Sequence, residues 1–303
     1  MNVGGNPMDR EPPKEGGKLH TLEEWIDILN AFKLSHRGCE TNCYIPLPML
    51  GEYMKEGRLF YKIVSGQTLW LFERERDYYL GYYYISKSDK LVIERQDLDV
   101  VIYLIGSEKK YAYIREEELV ELGCIKHRRN QEHMLTTETV PELERKNRKC
   151  QCVMNEMGLH YAAFQTGDYE TVYQLWRERI DRYSVKDMLK SRVRQMEEKE
   201  ECLTIRNREG TILAATSYEV NGSAALSENI ATVASSKGMG IGSALASKLF
   251  LNIFSKGCTK NCVWIWENNV ESRKLTRPFV KLTGRFSQQL LLKKRPDSVS
   301  GIS

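Results

Sequence analysis

The chain has 303 residues, 41% hydrophobic and 28% charged, which is enough apolar surface for packed domains and too much for a chain that stays unfolded. Its 45 Lys and Arg against 41 Asp and Glu leave a formal net charge of +4, too weak a basic surplus to point to nucleic acid. No run approaches the roughly 18–20 apolar residues of a membrane span, and the polar, Gly- and Pro-rich start carries no secretory signal. A cytoplasmic protein with no membrane and no nucleic-acid partner is expected. The eight cysteines are few for this length and read as reduced thiols. The close pairs Cys39/Cys43, Cys150/Cys152 and Cys258/Cys262 lack the paired CxxC spacing of a zinc site, so no metal is expected.

In chain order, residues 1–19 read as a disordered lead-in. Thr21 and Glu24 form a capping box, followed at helical spacing by Leu22, Trp25, Ile26, Leu29 and Phe32. A short helix is expected over Leu47–Lys55. The runs LFYKIV, TLWLFERE and YYLGYYYI, broken at Ser65–Gly66 and Arg76–Asp77, predict an antiparallel meander. Its tyrosines, Tyr78 to Tyr84, read as packing residues. Val100–Ile105 predicts a strand, Ile114–Leu122 a helix, and Cys124–Met134 a strand closing the first half. The polar stretch 137–157 reads as a linker or helix between a domain at 20–136 and a second at 158–295. In that second half, helices are expected near 169–180 and 185–196, with the charged run Arg192–Glu201 as a solvated face. Strands follow at 202–206, 211–219 and 229–233, then a glycine loop, a helix (243–254) and a strand (262–267). A helix interrupted by Pro278 (271–282), a strand (286–293) and a disordered tail at 296–303 complete the chain. The likeness of 121–135 to 281–294 suggests tandem related domains.

The informative segment runs from Asn229 to Phe254. A strand leads into Lys237-Gly238-Met239-Gly240-Ile241-Gly242, and a helix rich in Ala and Leu follows at once. A helix start leaves four backbone N–H groups unpaired and carries the positive end of the dipole. Glycines remove the Cβ atoms that keep an anion away from those donors. Such a loop suits a phosphate or pyrophosphate, with Lys237 as a cation at the rim. It is no Walker loop, since no Lys follows the last glycine. It also departs from the dinucleotide fingerprint, where Ser243 stands at the third glycine. A glycine-rich turn without a ligand is the bland alternative.

Thr232 to Gly242 resembles the pyrophosphate motif of the GCN5-related N-acetyltransferases, the GNAT superfamily, with Lys237 where Arg or Gln is usual. Asn269-Val270-Glu271-Ser272 resembles that family's entry into its penultimate helix. The likeness is good over about 200–294 and faint over 20–135. It implies an α/β (α+β) fold, with a mixed, mostly antiparallel central sheet flanked by helices, in two related domains of which the first is degenerate. It implies acetyl-CoA as co-substrate between two splayed parallel strands, held by Thr232, Val233, Ala234, Lys237, Gly238, Met239, Gly240, Ile241, Gly242, Ser243, Asn269 and Ser272. A main-chain N–H near Val233 would polarise the thioester carbonyl.

The implied activity is direct N-acyl transfer to a primary amine, on a small molecule or a peptide, by a monomer or homodimer. Glu228 is the candidate base, weighed against a solvated loop carboxylate. Thr276 stands where the family often has the tyrosine that protonates the leaving thiolate, and Phe279 has no proton to give. A thiolate can leave without a positioned acid, because a free thiol ionises near pH 8.5. Trp264 and Trp266 share one strand face and either line the cofactor cleft or pack under a helix. His127, beside Arg128 and Arg129, and His133 lie on an expected strand. The rival readings are an acyl-CoA-binding module without turnover and a dinucleotide-binding oxidoreductase.

Overall fold

The computed structural model describes residues 16–36, 38–107 and 115–295. Its contacts separate into two units, Met1–Leu104 with Ile114–Lys126 and Leu290–Ser303, and Ile105–Tyr113 with His127–Gln289. The expected lead-in through residue 15 and the expected tail at 296–303 lie outside the described residues.

The first unit holds, wholly or for the greater part, β1 (Gly16–Lys18), α1 (Leu22–Ser35), β2 (Cys39–Thr41), α2 (Leu47–Lys55), β3 (Leu59–Val64), β4 (Thr68–Arg74), β5 (Tyr78–Ser86), β6 (Asp99–Ser107) and α3 (Glu116–Glu121). Its strands run in the order β1-β3-β4-β5-β6, with β2 on β5. Thr21 caps α1, accepting the Glu24 N–H at 3.1 Å. Trp25, Ile28 and Phe32 are its buried stripe. The β3–β4 turn places Ser65 and Gly66 at φ 53° and 66°, left-handed values that suit the twist of a hairpin. Every residue of β5 is buried, so its tyrosines are core. Gly16–Lys18 pairs with β3 and Leu19 is fully buried, which corrects the reading of 16–19 as disordered. Glycine punctuation had outweighed a short edge strand.

The second unit holds β7 (Ile125–Thr136), α4 (Val140–Glu156), β8 (His160–Ala163), α5 (Tyr169–Arg179), α6 (Lys190–Glu198), β9 (Cys202–Arg206), β10 (Ile212–Asn221), β11 (Ala224–Thr232), α7 (Ile241–Ser255), β12 (Lys260–Trp266), α8 (Val270–Thr276) and β13 (Lys281–Leu292). The strand order is β13-β7-β12-β11-β10-β9-β8. The β11–β12 pair is parallel, whereas β7–β12, β10–β11, β9–β10 and β8–β9 are antiparallel. This is the expected mixed, mostly antiparallel sheet with helices against it. On one face α7 buries Ala246, Leu249, Phe250 and Ile253 against Tyr218, Val263 and Ile265. On the other, Trp176 and Val172 of α5 pack with Ala215 and Ala231.

Several expected elements shift. β7, read as closing the first half, pairs through Asn130–Thr136 with the whole of β12, from Lys260↔Thr136 to Trp266↔Asn130. The two segments alike by eye thus become neighbouring strands of one sheet, β7 and β13. The polar stretch 137–157 is the helix α4, whose Met154 packs with Ile241, Ala244 and Leu245 of α7. The helix expected from 185 starts at Lys190, and the one expected over 271–282 ends at Thr276, two residues before Pro278. Arg277 still has helical dihedrals, but Pro278 has no N–H to continue the ladder.

Candidate functional site

In the second unit, β11 and β12 pair only from Ala224↔Lys260 to Ser227↔Val263. Beyond that point Glu228–Thr232 and Trp264–Trp266 part into a wedge. The cause lies on the far edge of β11. Between the pairs Thr216↔Ile230 and Tyr218↔Ser227, one residue of β10 faces two of β11, Glu228 and Asn229. Such a bulge bends and twists its strand. The outer edge of β12 stays fully paired with β7, so the parting falls on β11. Among the described residues no other strand lies on the opened edges. Backbone groups on such edges need partners.

Sequence reading placed Glu228 in the loop before the strand, whereas β11 begins at Ala224 and the bulge carries the carboxylate. Glu228 accepts the Ser217 hydroxyl at 3.0 Å and stands 3.9 Å from an Arg192 guanidinium nitrogen. Burial pushes its pKa up, while Arg192 and the Ser217 bond pull the other way. Its side chain keeps 27% of its surface open, so it sits crowded by protein but reachable by solvent. That combination suits a proton acceptor beside the wedge.

Arg192 is held by Glu201 and donates to the Tyr218 carbonyl at 2.7 Å. Glu201 also accepts the Val220 N–H at 3.2 Å. Arg194 and Glu197–Glu200 form the expected solvated face, but its two ends depart from it, with side-chain exposures of 12% for Arg192 and 1% for Glu201. The sequence signal was only that a Glu three residues beyond α6 lies within reach of an arginine inside it.

The loop places Gly238 and Gly240 at φ 83° and 78°, which side chains with a Cβ rarely adopt. Gly240 is the N-cap of α7, and no side chain caps that helix. Around it the Lys237 and Met239 amides donate within the loop, to Ala234 and Ser236, and Ala244 donates to Gly240. The amides of Gly238, Gly240, Ile241, Gly242 and Ser243 meet no acceptor among the described residues. A Cβ built at Gly238 or Gly240 points into open space. Five donors without a protein acceptor therefore cluster at the positive end of a 15-residue helix, a composition that suits a diphosphate. Lys237 pairs with Glu271 at 3.1 Å, both side chains about three-quarters exposed (73% and 76%). An exposed pair of this kind holds about 0–1 kcal/mol and yields readily to an anion.

The other expected residues divide. Val233 donates its N–H to Leu213 at 2.8 Å, so that amide is not the expected carbonyl donor. Strand alternation instead turns the main chain of Ile230 and Thr232 toward the wedge, although the Thr232 carbonyl already accepts from Arg179 at 3.1 Å. Thr232 also lies against the loop, its methyl 3.8 Å from where a Gly242 Cβ would stand. Ala234 lies in a helical turn, Ala234–Ser236, and Met239 is exposed beside Gly240. Asn269 caps α8 by accepting the Ser272 N–H at 3.0 Å. Thr276 is 2% exposed and donates its hydroxyl to the Ser272 carbonyl at 2.9 Å. That hydroxyl is spent within its own helix and is not placed as an acid.

On the Glu228 side of the sheet, Arg128 lies 4.4 Å from the Trp266 ring centre and Arg285 lies 5.9 Å from that of Trp264. The tryptophans therefore serve as platforms for guanidinium groups. His127 meets Asp181 at 2.9 Å. His133 is 6% exposed, neither ring nitrogen has a partner, and burial, aided by Arg273, holds its pKa down. Among the described residues no group of three or more His, Cys, Asp or Glu could hold a metal ion.

The second unit thus has a parallel strand pair parted at a bulge and, next to it, a helix start whose first amides meet no acceptor among the described residues. No family model matches the chain, and no curated protein matches it. Among solved structures, a GCN5-related N-acetyltransferase from Sphaerobacter thermophilus aligns with a TM-score of 0.51 at 13% identity, over 84% of this chain and 87% of that one. A GCN5-related glucosamine N-acetyltransferase region in a fungal multi-domain β-N-acetylglucosaminidase aligns with a TM-score of 0.58 at 9% identity. That alignment covers 91% of this chain and 38% of the fungal one. The chain has the fold of the GCN5-related N-acetyltransferases.

Proposed function

We propose that this protein is an N-acyltransferase that uses acetyl-CoA, with the donor site in the second unit. The observation that carries the reading is the wedge between β11 and β12, which opens beside five loop amides without a protein acceptor. The diphosphate of the coenzyme would sit on the amides of Gly238 and Gly240–Ser243, with Lys237 released from Glu271 to the anion. The amide arm would lie along Glu228–Thr232 as an added strand.

Glu228 would take the proton of the attacking amine, directly or through water, as its nitrogen bonds to the thioester carbonyl carbon. Collapse of that adduct breaks the carbon–sulfur bond and leaves coenzyme A as thiolate or thiol. With Thr276 spent on Ser272, the thiolate would be protonated by solvent. The acceptor is a primary amine on a small molecule or peptide.

The test is coenzyme A release with a panel of primary amines, alongside thermal shifts with acetyl-CoA and with NAD. Stabilisation by acetyl-CoA and amine-dependent thiol release are expected. Stabilisation without release would reduce the protein to an acyl-CoA-binding module, and stabilisation by NAD alone would overturn the reading.

A further inference from the structure

The first unit contains a second parting of parallel strands. β5 and β6 pair in parallel only at Tyr78↔Asp99, Tyr79↔Val100 and Leu80↔Val101. Past those residues the edges of both strands expose main-chain groups that require partners. In this unit the chain itself supplies them. Asn42, 2% exposed, accepts the Tyr83 N–H at 2.8 Å. Its carboxamide donates to the Gly81 carbonyl of β5 at 3.3 Å and to the Tyr103 carbonyl of β6 at 3.2 Å. One side chain thus joins both walls with its single acceptor and both donors in use.

Farther out, β2 continues along the same strand, pairing Thr41↔Tyr84, Glu40↔Ile85 and Cys39↔Ser86. The Tyr44 hydroxyl adds a bond to the Tyr103 carbonyl at 3.3 Å. The edge of β5 is therefore met in turn by β6, by an amide, and by an added strand. An extended arm carrying amide groups would make the same contacts.

We propose that Cys39–Tyr44 is a built-in occupant of the wedge in the first unit, standing where an acyl-CoA arm lies in the second, so that the chain takes up one acyl-CoA and not two. The count of one rests on the donor site proposed above; the occupancy by Cys39–Tyr44 does not. The connection from β5 to β6, residues 87–98, agrees with this. It contains no glycine and no helix, and so builds no phosphate cradle.

Hydrogen exchange on the full chain tests the occupant. Without ligand the Tyr83 amide should exchange slowly. Asn42→Ala should speed it at least tenfold, while Tyr82, whose main chain alternation turns toward β4, keeps its protection. Free exchange of Tyr83 in the wild type, or equal acceleration of Tyr82 and Tyr83, overturns the proposal. Titration of the wild-type protein with acetyl-CoA should give one site per chain with no change at Tyr83. Two sites, or slowing of Tyr83 by acetyl-CoA, also overturns it. If acetyl-CoA does not bind at all, the donor site is refuted, and the Tyr83 and Asn42 results alone decide the occupant.

Discussion

Glu228 sits where a carboxyl group is costly to ionise, and that has two measurable consequences. The activity should rise with pH as this carboxyl, titrating above the usual carboxylate range, loses its proton, and Glu228→Gln should flatten that acidic limb of the pH–rate profile. An unchanged limb in the variant would assign it to another group. The stability consequence has the opposite sense. The folded state holds the proton more tightly than the unfolded state, so ionisation of Glu228 erodes stability as pH climbs through the interval between the two pKa values. Glu228→Gln should therefore lose less stability across that interval in denaturant titrations.

His133 behaves in the reverse direction. Its folded pKa lies below the unfolded one, near 6.5, so stability falls as pH drops through that value. Both ring nitrogens are buried without partners, and a single buried unmet polar group costs about 1–3 kcal/mol. His133→Leu should accordingly be at least as stable as the wild type at pH 7 and show less acid sensitivity between pH 7 and 5. A loss of stability at both pH values would show that the ring makes a bond the structure does not contain.

At the level of elements, the loop and α7 form one device. The Ala and Leu spacing of α7 buries one stripe against the sheet and fixes where its first turn points. Phe250→Ala, at a fully buried position of that stripe, should cost about 3–5 kcal/mol, read as a lowered denaturant midpoint. Gly240→Val should instead leave the fold intact, because a Cβ there meets nothing within 4 Å. It adds about 1–2 kcal/mol of left-handed backbone strain and places a branched side chain over the donors. Binding of acetyl-CoA should weaken by more than tenfold in calorimetric titration, while the melting temperature falls by only a few degrees.

This device was legible in the sequence, because glycines at fixed offsets before a periodic helix specify local geometry. The partners of Glu228 were not. Ser217 and Arg192 lie 11 and 36 positions away, and a bulge set by β10 against β11 brings them together. The fate of Thr276 was equally hidden. Its spacing from Asn269 suggested a family position, but only the helix shows the hydroxyl turned back onto Ser272.

On the scale of the whole molecule, the sheet with its flanking helices could be read from the sequence, whereas the destination of β7 could not. Its alternation marks a strand, yet nothing local says which edge it joins, and pairing with β12 settles that over more than a hundred residues. The first unit shows the same limit. Tyr78–Ser86 reads as a buried strand, but Asn42 is an ordinary polar residue until it reaches Gly81, Tyr83 and Tyr103. The division at 137–157 followed composition, and polar composition there belongs to the outward side of α4.

The most direct measurement is a crystal structure of the full chain with acetyl-CoA. Diphosphate oxygens should accept hydrogen bonds of about 2.7–3.2 Å from the amides of Gly240 to Ser243, with the thioester between β11 and β12 near Glu228. Coenzyme seated anywhere else, or a loop whose amides stay turned to water at saturating ligand, would contradict the account.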